Sequence, residues 1–568
     1  MAVFWAARAL ASGEPTNQEL FVDRAGSTGL DFVHFNGMTG EYYLVEVNGF
    51  GGALLDYDND GDLDVFLLQG QLLGPGKTLA EAVFPPPGPP PLSDRLFRND
   101  LEVQADGTIL PSFTDVTEKS GIHAIGYGMG VATGDYDNNG WTDLYVTNFG
   151  SNQMLRNNGD GTFSDVTEET GTDDIRWSVP AAFFDFDSDG WLDLFVGNYV
   201  DFSFSRRQRC PSPSGAPDYC APLSYQAVSD RLFRNRGDGG FEDVTRRSGI
   251  HGEYGNALGV VTADFNGDGR IDLYVANDMS LNQMWINLGD GTFRNDALIA
   301  GSAVNEEGRP EASMGVVAGD VDADGDEDLF MTHIDGETNT LYINDGTGLF
   351  RDVTDRWELG VASRTSTAFG TAWLDFDQDG WLDLIIANGA VSVLESQLRQ
   401  GDPYPLKQIN QLFHNLGNGR FEEVTDRAGA AFELAEVSRG LAMGDIDNDG
   451  DPDVVITNNS GPARLLINQW GAGGNWVGLR LVEPSGQGDV LGTRVAIHRH
   501  GQPTLWRRVQ VDGSYASASD PRIVAGLGSS TSIDKIEVFW PGGQVDTWSG
   551  VPVGGYITLL RRHGKEQH

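Results

Sequence analysis

Residues 181–198 read AAFFDFDSDGWLDLFVGN. Within them Asp185, Asp187, Asp189 and Asp193 occupy positions 1, 3, 5 and 9 of a nine-residue phrase, with Gly190 at position 6. Carboxylates at that spacing on a tight loop suit a hard cation that takes six to eight oxygens at about 2.3–2.6 Å. The glycine permits a sharp turn that a Cβ would obstruct. The apolar runs on either side, AAFF and LFV, predict two short buried strands joined by the loop.

The phrase recurs, seven copies in all, which marks a repeat architecture. The first two copies are Asp56, Asp58, Asp60 and Asp64, then Asp135, Asp137, Asn139 and Asp143. After the copy at Asp185 come Asp264, Asn266, Asp268 and Asp272, followed by Asp320, Asp322, Asp324 and Asp328. The last two are Asp375, Asp377, Asp379 and Asp383, then Asp445, Asp447, Asp449 and Asp453. Asn139 and Asn266 keep a ligating oxygen but lose a charge, so their loops should hold an ion more weakly. EF-hand loops end on a bidentate acid at position 12. Here that position holds Leu67, Val146, Val196, Val275, Met331, Ile386 and Ile456. The loop therefore closes at position 9 and runs into a strand, and an EF-hand is excluded.

A second phrase follows each loop: an apolar pair, Asn, a Gly-rich turn and then Phe-x-Asp-Val-Thr. Clear copies are MLRNNGDGTFSDVT (154–167) and LFRNRGDGGFEDVT (232–245). Asn-Gly and Asp-Gly between alternating apolar runs signal a hairpin. Each repeat thus supplies four short strands, at spacings of roughly 50–80 residues, which predicts a β-propeller. The chain opens with a lone final-strand phrase, ELFVDRAGSTGL (19–30), and the seventh repeat stops at LLINQW (465–470) without one. The orphan can complete the last blade and remove two free sheet edges. Insertions at 71–94, 200–228 and 389–410 all follow a second strand, so they should gather on one face.

After residue 470 the ion phrase disappears and short alternating runs take over, among them WVGLRLV (476–482), TRVAIHR (493–499) and KIEVFW (535–540). The expected fold is all-β: a seven-bladed propeller with ion-binding loops over 19–470 and a small antiparallel β domain over 471–562. Residues 1–18 read as a remnant of an export signal and 563–568 as a frayed tail.

With 38 Lys and Arg against 83 Asp and Glu, the net charge is −45. A chain this acidic repels nucleic acid and anionic membrane surfaces. No apolar run approaches the roughly 18–20 residues that span a bilayer. Cys210 and Cys220 share one Pro- and Ser-rich loop, the setting of a disulfide in an oxidising compartment. The expected location is extracytoplasmic, secreted or periplasmic.

Phe50-Gly51-Gly52-Ala53, Gly128-Met129-Gly130 and Met314-Gly315, each leading into a loop, resemble FG-GAP/VCBS repeats, the repeats of integrin α-subunit propellers. The stretch GSYASASDPRIVAGLGSSTSIDKIEVFWPGG (513–543) resembles the ASPIC/UnbV domain. Together, and in that order, the two modules resemble the cartilage acidic protein family and its many bacterial homologues. One departure is GQGDVLGTRV (486–495), a loose version of that family's Asn-Arg-x-Ala-hydrophobic-Gly-Ala phrase. The resemblance implies a calcium-bearing, exported protein with up to seven Ca²⁺, one per blade.

The face opposite the ion loops is built from loops entering each first strand and leaving each second one. Those loops carry Glu46, Arg176, Glu311 and Arg439, with His34 and His333 as candidate general bases. Acids, arginines and aromatics around a funnel form the default ligand site of a propeller, although the same groups can simply pair with one another. Nucleophile elbows, His-Glu-x-x-His, phosphate loops and dinucleotide fingerprints are absent from the sequence. Two functions are compatible with this pattern. One is a binding or adhesion module that presents its rim to a protein or glycan. The alternative is a cofactor-free lyase, cyclase or isomerase working in the funnel on a small substrate, with the rim acids and arginines as acid–base and oxyanion partners.

Overall fold

The computed structural model describes residues 19–104, 109–470, 474–485 and 488–562. The segment 1–18 read as an export-signal remnant and the tail 563–568 lie outside the described residues. The chain is all-β with short connecting helices. Among the described residues up to 470 there are seven four-stranded antiparallel sheets. Their first strands are Gly52–Leu55, Gly128–Gly134, Ser178–Phe184, Ala257–Ala263, Val316–Gly319, Ala368–Leu374 and Ser438–Gly444.

Every second strand begins on the ninth residue of the acidic phrase: Asp64, Asp143, Asp193, Asp272, Asp328, Asp383 and Asp453. These strands are buried along their whole length, which is why they read as continuous apolar runs rather than alternating ones. First strands pack side by side in chain order, and Ser438–Gly444 touches both Ala368–Leu374 and Gly52–Leu55. The seventh sheet is completed from the other end of the chain. Phe21–Asp23 pairs antiparallel with Arg464–Asn468, placing Phe21 opposite Asn468.

One asparagine ties each sheet to the one before it. The third strand of every sheet ends on Asn: Asn99, Asn157, Asn235, Asn287, Asn344, Asn415 and Asn468. Each Nδ2 donates to the carbonyl of loop position 2 in the preceding sheet, at 2.7–3.2 Å. Asn157 bonds Tyr57 O, Asn235 bonds Tyr136 O, and so on to Asn468 and Phe376 O. Asn99 reaches Ile446 O of the seventh loop, so the series returns to its start. All seven asparagines are buried, where an unpaired amide or carbonyl would cost about 1–3 kcal/mol.

Beyond residue 474 two further sheets share one core that includes Val477, Leu479, Val495, Ile536 and Trp540. The expectation of a wholly antiparallel C-terminal domain needs correction. Asn475–Val482 pairs antiparallel with Ile523–Gly528 but parallel with Tyr556–Leu560. The long stretch between these two partners supplies the crossover that parallel pairing requires. Ile523–Gly528 and Val545–Trp548 are strands that the apolar pattern did not single out.

Candidate functional site

The acidic loops share one hydrogen-bond scheme. In five loops position 1 accepts from the backbone N–H groups of positions 5 and 6, as Asp185 does from Asp189 at 3.1 Å and Gly190 at 2.9 Å, while of these two donors Asp320 takes position 5 alone and Asp375 position 6 alone. Position 9 accepts two more, one from position 2 and one from the bridging asparagine. Asp193 takes these from Phe186 at 3.1 Å and Asn235 at 2.8 Å. Position 5 accepts from position 7, a local turn, as Asp189 does from Trp191 at 3.0 Å. Position 4 lies in the left-handed region, with φ of 57° at Asn59 and 58° at Asn448. Asn is well suited there because its short amide tolerates αL and finds a partner. Asn59 and Asn138 donate to Gly140 O and Gly190 O of the following loops, and Asn448 donates to Gly61 O of the first.

Position 3 is different. One oxygen of Asp58, Asp187, Asp322 and Asp447 is buried and has no hydrogen-bond partner. Carboxylates of positions 1, 3 and 9 converge at Asp56, Asp58 and Asp64, and likewise at Asp135, Asp137 and Asp143. The same holds for Asp185, Asp187 and Asp193, and for Asp320, Asp322 and Asp328. Burial, reinforced by neighbouring carboxylates, pushes Asp185 up to about 6, Asp320 and Asp445 to about 7, and Asp193 to about 9. Crowded, desolvated oxygens with unpartnered lone pairs fit a hard divalent cation. In the two loops with Asn, the amides of Asn139 and Asn266 make local bonds, to Asn157 O at 3.3 Å and Asp268 at 3.0 Å.

The C-terminal sheets lie against this acidic-loop end. Arg522 donates to Asp445 O at 2.9 Å, Arg507 to Gly380 O at 3.0 Å, and Arg494 to Gly325 O. Tyr556 donates to Asp445 Oδ2 at 2.6 Å, and Gly526 N to Asp375 Oδ2 at 3.1 Å. Asp320, Asp375, Asp445, Arg507, Arg508 and Arg522 border a cavity of ≈ 110 Å³.

From the same region the segment 512–519 runs between the seven sheets and meets six of their first strands. Thr262 N donates to Asp512, Val316 N to Ser514 O, and Thr371 N to Ser514 Oγ. Val131 N donates to Ala516 O, Leu54 N to Ala518 O, and Met443 N to Ser519 Oγ. A Cβ on Gly51 would fall 1.6 Å from Ala516 O, so this approach demands glycine. Tyr515 is fully buried, with its hydroxyl on Asn48 O at 2.9 Å and its ring edge against Phe369. The small residues of GSYASAS are the sequence signal for this threading, and they were legible only as part of a family motif.

At the opposite end the three insertions meet. The disulfide Cys210–Cys220 closes the second, with Cα atoms 5.2 Å apart. Asp218 accepts from Val393 N at 3.1 Å, and the rings of Phe84 and Tyr404 touch at 5.9 Å. Tyr219 and Tyr404 both reach Glu46, the first by a 3.2 Å bond to its carboxylate and the second by a 3.4 Å bond to its carbonyl. Glu46 is buried, its second oxygen has no partner, and burial pushes its carboxyl up to about 7. Arg439 is also buried and makes four bonds, all to carbonyls: Val47, Gly389, Ser438 and Ala390, at 2.7–2.9 Å. Its guanidinium stands 4.0 Å over the Phe369 ring, and burial lowers it to about 10.

The other rim candidates are scattered. Arg176 forks onto Asp174 and donates to Ser229 O at 2.8 Å. Glu311 accepts from Asn305 at 2.9 Å and lies 3.7 Å from His333 Nε2. His333 is buried between Ser313 and Thr338 O. His34 stacks on Phe50 at 3.8 Å, and burial lowers it to about 3. The structure thus brings Glu311 beside His333 and places Glu46 and Arg439 in one aromatic cluster, while His34 and Arg176 stand apart. Sequence reading missed Tyr219 and Tyr404, which nothing local distinguishes from other insertion aromatics.

Comparison with known proteins matches residues 135–196, 215–275, 264–331, 320–386 and 399–483 to the FG-GAP-like repeat family, and 484–567 to the ASPIC and UnbV family. Cartilage acidic protein 1 of Homo sapiens is 26% identical over 323 residues, 55% of this chain and 44% of that protein. Its counterpart in Xenopus tropicalis is 30% identical over 165 residues, 28% of this chain and 25% of that protein. The match therefore spans less than half the length of these relatives. Among solved structures, an Agrocybe aegerita lectin that recognises non-reducing terminal N-acetylglucosamine covers 66% of this chain and 88% of its own, at 15% identity and a TM-score of 0.35. A rhamnogalacturonan lyase covers 65% and 74%, at 10% identity and a TM-score of 0.28. Likenesses this loose say nothing about ligand or activity.

Proposed function

Because this chain belongs to the FG-GAP-like repeat family and carries an ASPIC and UnbV domain, we propose that it is a calcium-stiffened binding module that works outside the cytoplasm. The seven sheets are the blades of one closed propeller over 19–470, and 471–562 is its second domain. Each acidic phrase holds one divalent cation through the carboxylates that converge in its loop, and that cation is Ca²⁺ where the ligands are oxygen alone. The ligand is a protein or a glycan, taken by the surface that the three insertions build at the rim. The disulfide of the second insertion supports an oxidising location. No helix among the described residues is long and apolar enough to cross a membrane.

The observation that carries this reading is the burial of Glu46 and Arg439 beneath the insertions. A catalytic acid or oxyanion partner must reach a substrate, whereas these two hold tyrosines and backbone carbonyls in place. The experiment is a glycan array and a panel of extracellular proteins probed with the intact, Ca²⁺-loaded chain. Selective binding that chelator abolishes and that survives Glu46→Gln is expected. Turnover of a small molecule that disappears in Glu46→Gln, with the melting temperature unchanged, would replace this reading by the enzymatic one.

A further inference from the structure

The residue just before each bridging asparagine varies in a way that bears on ion choice. It is Arg98, Arg156 and Arg234 in the first three sheets, Ile286, Ile343 and Ile467 in the fourth, fifth and seventh, and His414 in the sixth. Arg234 shows where a long side chain at this position goes: its guanidinium grips Asp187 and Asp189 of its own loop. Arginine offers only donors, so it can neutralise the acids but never ligate a metal. Histidine offers a lone pair.

In the sixth loop Asp377, Asp379 and His414 present ligand atoms within 4.8 Å of one another. Nε2 of His414 lies 3.2 Å from Asp377 Oδ2 and 4.0 Å from Asp379 Oδ2. The convergent sets at Asp56, Asp135, Asp185 and Asp320 contain oxygen alone. A second observation is independent of the imidazole. Asp375, position 1 of the same loop, is 5% exposed, and its Oδ1 is buried with no partner. Its other oxygen is held by Gly380 N at 3.0 Å and Gly526 N at 3.1 Å, so the unpartnered Oδ1 is the one left to take a cation. Calcium takes oxygen ligands, while one imidazole among carboxylates favours first-row transition ions.

We propose that the sixth loop is a transition-metal site of the Zn²⁺ class, with His414, Asp377 and Asp379 as ligands and Asp375 Oδ1 completing the set. The inference rests on reading the acidic loops as ion sites. It separates one loop of the ring from the oxygen-only others, and it places a metal beside the C-terminal sheets through Asp375 and Gly526.

The test uses the full chain, stripped by chelator, refilled with excess Ca²⁺ and titrated with Co²⁺ as a coloured stand-in for Zn²⁺. One equivalent of Co²⁺ that resists excess Ca²⁺, with visible absorption of nitrogen-ligated cobalt, is expected. His414→Ile, which installs the residue found in three other sheets, should weaken Co²⁺ binding about 100-fold and leave Ca²⁺ binding elsewhere intact. His414→Gln should do the same and guards against a packing defect. Ca²⁺ binding with Co²⁺ freely displaced, or Co²⁺ affinity unchanged in both variants, overturns this inference alone and leaves His414 as an ion-pair partner in the manner of Arg234. If neither ion binds any form, the reading of the loops as ion sites fails as well.

Discussion

Stripping divalent ions from the full chain should lower its melting temperature by more than 10 °C. The effect originates in the loops. Positions 1, 3 and 9 bring carboxylates together, the last of them buried, and burial plus mutual repulsion already raises Asp185 to about 6 and Asp193 to about 9. An ion that binds only the folded loop stabilises it by about 2.7 kcal/mol when its free concentration is 100-fold above the dissociation constant. Seven filled loops then contribute about 19 kcal/mol. An unfolding entropy of about 2.1 cal/mol/K per residue amounts to roughly 1.2 kcal/mol/K for 568 residues. The corresponding shift is about 16 °C, and about 11 °C if the loops with Asn139 and Asn266 stay empty. Scanning calorimetry in chelator, in excess Ca²⁺ and in excess Mg²⁺ measures it directly. A midpoint that does not move between chelator and Ca²⁺ refutes the assignment of these loops.

Other outcomes follow from the same contacts. In chelator, stability should fall as pH rises from about 4 to about 7: Asp56 and Asp135 are raised from 3.8 to about 6 and Asp375 to about 7, so over that window the folded state holds protons that the unfolded chain has lost. Saturating Ca²⁺ should remove that slope, and a melt in chelator that improves with pH across the window would contradict it. Asn344→Ala deletes the bonds to Phe265 O and Glu327 O and the two that its amide oxygen accepts from Gly346 and Gly348. A loss of about 3 kcal/mol in urea unfolding is expected, and a change below about 0.5 kcal/mol would deny the asparagine its role as a sheet-to-sheet tie. Arg439→Ala orphans four buried carbonyls and should cost at least about 3 kcal/mol, whereas lost ligand binding with an unaltered melt would make Arg439 a contact residue. Tyr515→Ala should cost about 3–5 kcal/mol and open the C-terminal sheets to limited proteolysis, and resistance equal to the parent would show that the threaded segment holds nothing.

The acidic phrase was legible because its chemistry is local. Carboxylates or their amides at positions 1, 3, 5 and 9, a glycine at the sixth and an apolar run on each side specify a loop between two buried strands, and each second strand does begin at the ninth residue. The lone phrase at 19–30 was legible for the same reason, as a final strand lacking its own sheet, and it pairs where the seventh repeat stops. The cysteine pair needed only a shared short loop. The rim resisted such reading. Glu46, Arg439 and His333 look like ligand contacts in a chain of loops, but whether a charged side chain faces solvent or carbonyls depends on what the insertions bring over it.

Sequence by itself determined the all-β class, the repeat and the acids that line each loop, since short-range periodicity and turn chemistry carry that information. Tertiary structure alone decided which carbonyl each third-strand asparagine would take, that 512–519 would run between the sheets, and that one C-terminal strand would pair in parallel. Those contacts join residues far apart in the chain. Their partners follow from how complete sheets pack, a property that no window of residues encodes.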